Sequence, residues 1–297
     1  MSLGDVERAD AWREERTELL KCRVGASVVP IVGENERGRP VAIGSGVLLA
    51  IESDVLLLTA GHVLDYETKA VQPLPLYVGL GRAFLPLGSA HHTSEIPTAK
   101  SREDDKLDVG LVRLEVKSSG TWGVRFRCVL MIWILILFQV YVVRLALGFP
   151  LTKVKLDPAQ RHAGFSGIGV TSLAKSHVDS EPVRWPNLAM EFDRENLRVE
   201  ERISTGPEPR GMSGGALFGF DSLYARNPQE VKDRLEGILI GHRPRARLMV
   251  ATHVSLFLQS IRYLYPHLRA AIPKSDITTV RSSTASGGDP GGHPGAK

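Results

Sequence analysis

Cysteine is nearly absent from this chain of 297 residues: there are two, Cys22 and Cys128. That number excludes a disulfide-stapled secreted domain, which at this length needs several pairs. The opening residues, Met1 to Asp10, hold no apolar run, so no cleavable secretory leader is visible. Both features predict a reducing, cytoplasmic location. No block of Lys or Arg occurs, and 37 basic against 33 acidic residues leave a net charge of +4. A nucleic-acid partner is therefore not expected, and Arg243, Arg245 and Arg247 read as a solvated hairpin face. Glycine patterns that cradle phosphates or dinucleotides are missing. His91 and His92 come nearest to a metal motif, but adjacent residues in a polar loop make poor chelates. No metal and no cofactor are expected.

What the chain does have is strand texture. Val24 to Val32, Ala42 to Ile51, Val55 to Thr59, Leu76 to Leu80 and Asp108 to Leu114 are short apolar or β-branched runs separated by turn residues. A polar stretch from Ala90 to Lys106 reads as a loop. The second half repeats the pattern in Tyr141 to Phe149, Gly164 to Ala174, Asn187 to Phe192, Leu197 to Ile203, Gly215 to Phe220 and Leu235 to Gly241. Many short strands with intervening turns predict an all-β barrel or sandwich. Residues 5–21 are charged and suit a short amphipathic helix. Val254 to Leu268 carries apolar residues at helical spacing, including Val254, Leu258 and Ile261. Residues 273–297, rich in Ser, Thr, Gly and Pro, are expected to be disordered.

One segment breaks the pattern. Val129 to Phe138 is ten apolar residues, followed by Gln139 and then Val140-Tyr141-Val142-Val143 before Arg144. The run falls short of the about 20 residues that a membrane-spanning helix needs. Three readings stand: a buried strand pair or connector, a membrane contact through 129–143, or a local anomaly of sequence beginning at Thr121.

Three fragments carry chemistry together. They are Thr59-Ala60-Gly61-His62, Lys106-Leu107-Asp108-Val109-Gly110-Leu111 and Gly211-Met212-Ser213-Gly214-Gly215. A serine hydroxyl needs a base to take its proton and a third group to orient that base. Histidine has the pKa for the base role, and a buried carboxylate fixes its tautomer and stabilises the imidazolium. Glycines on both sides of Ser213 allow the sharp turn that points main-chain N–H groups at a developing oxyanion. Each fragment is common alone. The order His, Asp, Ser, with each residue beside an apolar run, is the informative feature.

In that order, these fragments resemble the trypsin/chymotrypsin-like serine peptidases, across roughly residues 25 to 270. The resemblance implies two six-stranded antiparallel β-barrels of the chymotrypsin-like double-barrel type, with short terminal helices and the site between the lobes. It divides the chain into an N-terminal extension (1–22), a first lobe (23–120), an apolar inter-lobe segment (121–140), a second lobe with C-terminal helix (141–272) and a tail (273–297). It makes His62 the general base, Asp108 its orienting partner and Ser213 the nucleophile, with the N–H groups of Gly211 and Ser213 as the oxyanion hole. The substrate pocket is implied in 205–210 and 238–243, with Thr205, Pro207, Ile240 and His242 as lining. The partner implied is a protein or peptide substrate, with no statement about oligomers. Animal trypsins carry aspartate where this chain has Met212, and it pairs with a new N-terminus after activation cleavage. Methionine cannot form that pair, so the bacterial and viral members that lack this step are the closer likeness. Two further functions stay open, an inactive binding scaffold on this fold and a membrane-associated peptidase anchored by 129–143.

Overall fold

The computed structural model describes residues 25–35, 39–66, 75–80, 83–88, 91–94, 105–115, 130–131, 143–157, 162–178, 181–199, 202–220 and 233–272, together with Glu15 and Glu18. Most of the predicted N-terminal helix, the predicted tail and most of the apolar run 129–143 lie outside the described residues.

The first lobe is one sheet. Its strands are β1 (Val28–Glu34), β2 (Pro40–Ile51), β3 (Asp54–Ala60), β4 (Leu76–Leu80), β5 (Ala83–Pro86), β6 (His91–Thr93), β7 (Val109–Leu114) and β8 (Leu130–Met131). They pair in the order β5-β4-β1-β2-β3-β7-β6, and β8 lies parallel to β2 at Leu49 and Ala50. Leu130 and Met131 of the anomalous run therefore join the first lobe's sheet, while Val143, at its end, begins a strand of the second lobe. His91 and His92 sit in a strand paired to β7, where the sequence reading had a loop.

The second lobe closes on itself. β9 (Val143–Gly148), β12 (Ile168–Lys175), β15 (Asn187–Glu191), β18 (Ala216–Phe220), β19 (Asp233–Arg243) and β20 (Leu248–His253) form a six-stranded barrel in the order β12-β15-β20-β19-β18-β9. Three small hairpins hang from it, β10 (Val154–Asp157) with β11 (His162–Phe165), β13 (His177–Val178) with β14 (Glu181–Pro182), and β16 (Leu197–Val199) with β17 (Arg202–Ser204). The run predicted as one strand from Leu197 to Ile203 is the last of these hairpins. The arrangement is the chymotrypsin-like double-barrel fold, with the first lobe as a half-barrel among the described residues.

Continuous apolar runs form these strands because both faces of each are buried. In β3, Leu57 points into the first barrel, while Leu56 and Leu58 point at the second lobe. In β18, Leu217 enters the second barrel, while Ala216 and Phe218 join that same inter-lobe core. The shared core is sealed by the helix Val254–Leu264, which buries Val254, Phe257, Leu258 and Ile261 along one stripe. Each fully buried side chain of this kind contributes about 1.5–3 kcal/mol. The two lobes are therefore fixed against each other by packing. A buried ion pair plugs the second barrel, with Arg144 Nε 2.6 Å from Glu236 Oε2 and its Nη1 donating to the Ala189 carbonyl at 2.6 Å. Burial pushes the Glu236 carboxyl up, and the Arg144 charge and hydrogen bond oppose that. Among the described residues, no helix is long and apolar enough to cross a membrane.

Candidate active site

β3 ends at Ala60, and the helical turn Gly61–Leu64 follows at once. That step places His62 at the edge of the first lobe. β7 begins one residue after Asp108, which takes a left-handed backbone with φ of 44°, a conformation aspartate tolerates better than most residues. Antiparallel pairing of β3 with β7 then brings Asp108 and His62 side by side.

Asp108 holds the histidine at two points. Its Oδ2 lies 2.6 Å from His62 Nδ1, and its Oδ1 accepts the His62 main-chain N–H at 2.9 Å. Its carbonyl accepts Gly61 N–H at 2.8 Å. The carboxylate side chain is 6% exposed and the imidazole 36% exposed. A buried acceptor on Nδ1 fixes the tautomer that leaves Nε2 as the basic nitrogen. The second lobe reaches this loop too, because Thr252 Oγ1 donates to the Leu107 carbonyl at 2.6 Å.

Ser213 sits in the turn before β18. The turn needs its glycines, since Gly211 has φ of 94° and Gly214 has φ of 84°. A Cβ on Gly214 would lie 1.9 Å from the Ser45 carbonyl oxygen and 2.2 Å from Thr59 Oγ1. Both lobes pin the turn. From the second, Gly214 N–H donates to the Leu239 carbonyl at 2.6 Å, and Leu239 N–H donates to Gly215 O at 2.8 Å. From the first, Ser45 N–H donates to the Ser213 carbonyl at 2.8 Å, and Ser45 Oγ donates to the Gly211 carbonyl at 2.8 Å. Ser45 Oγ also accepts Phe149 N–H at 2.9 Å, and Thr59 Oγ1 donates to the Ser45 carbonyl at 2.7 Å. A Cβ on Gly44 would meet the Val63 methyls at 2.8 Å and the Ser213 carbonyl at 3.1 Å. The serine turn thus lies against the residue next to His62. No hydrogen bond joins Ser213 Oγ to the His62 ring in this structure. Met212 N–H is bonded to the Pro209 carbonyl at 2.9 Å. Among the described residues, the N–H groups of Gly211 and Ser213 have no acceptor.

Ser45 was missed in the sequence. Its signal was the Gly44-Ser45-Gly46 triplet inside a strand, since strand glycines mark close backbone approach. Met212 is 2% exposed and packs in the second barrel's core with Met190 and Met249.

A cavity of about 280 Å³ opens beside Ser213. Met212, Leu239 and Met249 line it together with Gly241, His242 and Pro244, and Glu208 and Arg210 stand at its exposed edge. Of the four lining residues expected, His242 is in this wall. Thr205 is exposed and Pro207 partly exposed, and neither lines the cavity. Ile240 packs against the core of the first barrel. Strand alternation in β19 turns Leu239 toward the second barrel and Ile240 the other way. No group of three or more His, Cys, Asp or Glu among the described residues can hold a metal. His92 instead meets Tyr265 edge-on at 6.1 Å.

No protein-family model matches the chain, and no curated protein matches it. Solved structures do. An inactivated protease paralogue of the scabies mite is 12% identical, with a TM-score of 0.49 over 82% of this chain and 96% of that one. The serine protease AL20 from an extremophilic microorganism is 15% identical, with a TM-score of 0.46 over 80% of this chain and 96% of that one. Neuropsin, a serine protease of mouse brain, is 14% identical, with a TM-score of 0.49 over 80% and 94%. The fold description above stands on this chain's own strand pairing.

Proposed function

We propose that the chain is a serine endopeptidase acting by acyl transfer. Ser213 Oγ attacks the scissile carbonyl carbon while His62 Nε2 takes its proton. Asp108 orients the imidazole and stabilises the imidazolium. The oxyanion that forms accepts hydrogen bonds from Gly211 N–H and Ser213 N–H, each worth about 3 kcal/mol in the transition state. His62 then returns the proton to the leaving amine. Water, deprotonated by the same nitrogen, releases the acyl group. The substrate is a protein or peptide.

The carrying observation is the two-point hold of the buried Asp108 on His62. The serine turn lies alongside, pinned from both lobes. One observation favours a second reading, a non-catalytic binding scaffold: the Ser213 Oγ to His62 bond is unmade. Catalytic hydrogen bonds in substrate-free sites are often long and tighten only with substrate, so the acyl-transfer reading is preferred. Labelling with a fluorophosphonate probe decides between them. The wild type is expected to label and Ser213→Ala to stay unlabelled. Labelling that survives the substitution removes Ser213 as nucleophile. A folded wild type that never labels supports the scaffold.

A further inference from the structure

The loop that delivers Asp108 is held by side chains that acyl transfer does not use. Asp108 has φ of 44°, a costly backbone for a residue with a Cβ, and one that persists only where the surroundings hold it. That orientation serves two bonds at once. The Asp108 carbonyl accepts Gly61 N–H at 2.8 Å, and its Oδ1 accepts the next main-chain N–H, that of His62, at 2.9 Å. The chain is tied on both sides of Asp108. Leu107 N–H donates to Asp105 Oδ1 at 2.9 Å, and Val109 N–H donates to Ser94 Oγ at 3.0 Å. Ser94 N–H returns a bond to the Val109 carbonyl at 2.9 Å. Ser94 Oγ donates its own proton to Asp105 Oδ2, so the two side chains form one unit that brackets Asp108.

We propose that Ser94 and Asp105 are positioning residues, a hydroxyl–carboxylate clasp that keeps Asp108 in the left-handed backbone from which it holds His62. This rests on the acyl-transfer reading, because only then does the orientation of His62 set a rate. Neither residue lines the cavity beside Ser213, so the clasp acts through Asp108. A hydroxyl has one proton and two lone pairs, and an ionised carboxylate can only accept. Asp105 therefore takes the Ser94 proton and turns a lone pair of Ser94 Oγ toward Val109 N–H. The peptide between Asp108 and Val109 is then gripped at both ends, by Gly61 on its carbonyl and by Ser94 on its N–H. The peptide between Leu107 and Asp108 is gripped at its carbonyl by Thr252, and Asp105 fixes the step before it through Leu107 N–H. Two held peptide planes leave the residue between them little freedom in φ and ψ. Without Ser94 Oγ the second plane is released, and Asp108 relaxes toward the negative φ that a residue with a Cβ prefers. Its carbonyl and Oδ1 then no longer meet Gly61 and His62 together.

The test is steady-state kinetics on a peptide anilide. Ser94→Ala and Asp105→Ala are expected to lower kcat about tenfold, a fraction of the about 10²-fold loss from a 1 Å misplacement, with KM near the wild-type value. Ser94→Thr keeps the hydroxyl. Asp105→Asn keeps an oxygen for Leu107 N–H and sets its NH2 against Ser94 Oγ, which can accept it. Both conservative variants should retain most of kcat. Placing Ser94→Ala on Asp108→Asn separates positioning from general support. A residue that acts through Asp108 has little left to lose there, so the tenfold factor should shrink toward one, whereas independent effects multiply. An unchanged kcat in the folded alanine variants overturns the proposal. So does a raised KM with kcat kept, or the full factor on Asp108→Asn. Hydrogen exchange of the Val109 amide in the wild type needs no variant. It is expected to be slow, and exchange as fast as in exposed loops overturns the clasp even where the alanine variants do not fold. Fluorophosphonate labelling separates the failures. Labelled wild type with alanine variants of full kcat removes the positioning claim alone, and unlabelled, inactive wild type removes both.

Discussion

Replacing Asp108 with asparagine isolates the tautomer argument, and the structure sets which way the amide must face. Oδ1 of Asp108 accepts the His62 main-chain N–H, and Oδ2 faces His62 Nδ1. An amide NH2 cannot accept a main-chain proton. The asparagine oxygen must therefore keep the Oδ1 position, and its NH2 must face Nδ1. Nδ1 then acts as acceptor, and the imidazole proton moves to Nε2. In that tautomer Nε2 cannot take the proton of Ser213, and the carboxylate that would stabilise an imidazolium is gone. In a triad of this kind the loss is about 10⁴-fold in kcat, which is about 5.4 kcal/mol of activation free energy. KM stays near the wild-type value, because Asp108 touches no substrate. The melting temperature also changes little, because both contacts keep a partner of the same shape. Steady-state kinetics on a peptide anilide, alongside thermal unfolding by circular dichroism, read both quantities. A kcat loss below tenfold in a folded variant would refute the assignment of His62 and Asp108 as base and orienter.

Ser45→Ala removes the acceptor of the half-buried Phe149 N–H and the hydroxyl donor to the Gly211 carbonyl. Urea unfolding should show a loss of about 1–3 kcal/mol, with kcat down about tenfold as the Gly211 peptide loosens, and an unchanged pair of values removes Ser45 from the site. Burial, then the Arg144 charge, lowers the His253 pKa from 6.5 to about 4. The unfolded chain therefore binds a proton below pH 6.5 that the folded chain refuses until about pH 4, and stability falls across that window by about 3 kcal/mol. His253→Asn keeps an acceptor at the helix N-cap, where His253 now accepts Ser255 N–H, so its stability curve should be flatter there, and parallel curves would contradict the assignment. Burial alone would raise the Asp54 pKa, but hydrogen bonds and charges from His267 and Arg113 bring it below the ordinary carboxylate value. Its contribution is present above about pH 4 and lost as pH falls through the lowered value. Both partners are about half exposed, so Asp54→Asn should cost about 1 kcal/mol at neutral pH, a difference from wild type that vanishes in acid, and a gap that persists at low pH points to packing instead.

The strands were legible because hydrophobic runs bounded by turn residues are a local signal. Val55 to Thr59 and Leu235 to Gly241 read correctly for that reason. Leu197 to Ile203 did not, since Val199 pairs with Arg202 in a hairpin whose two strands are each three residues long and lie too close in sequence to read apart. His91 and His92 were read as loop because their strand is three residues long and borrows its order from pairing with β7. The same logic separates the candidate site residues by the kind of signal each carried. His62, Asp108 and Ser213 each carry a recognisable local setting. Ile240 and Thr205 were chosen by position along the chain, and a bulge between Leu239 and Gly241 decides which side chains of β19 face the cavity.

Convergence of the site depends on contacts that no local pattern carries. His62 and Asp108 come from the first lobe and Ser213 from the second, so their alignment is set by the core the lobes share. Leu56 and Leu58, on the strand that delivers His62, pack in one cluster with Ala216 and Phe218, on the strand that follows Ser213. Two buried hydroxyl side chains add register to that packing. Ser45 ties β2 to the Gly211 turn, and Thr252 ties β20 to the Asp108 loop, across 166 and 145 residues of chain respectively. Each bond links a residue of one lobe to the backbone that carries the other lobe's functional group. A slip between lobes would break both bonds, one of them buried, and expose core leucines, at a cost of several kcal/mol. The shared packing therefore holds the lobes that carry His62, Asp108 and Ser213 in one register. Under the proposed acyl-transfer reading, Ser45→Ala then probes that register at a residue outside the proposed catalytic groups.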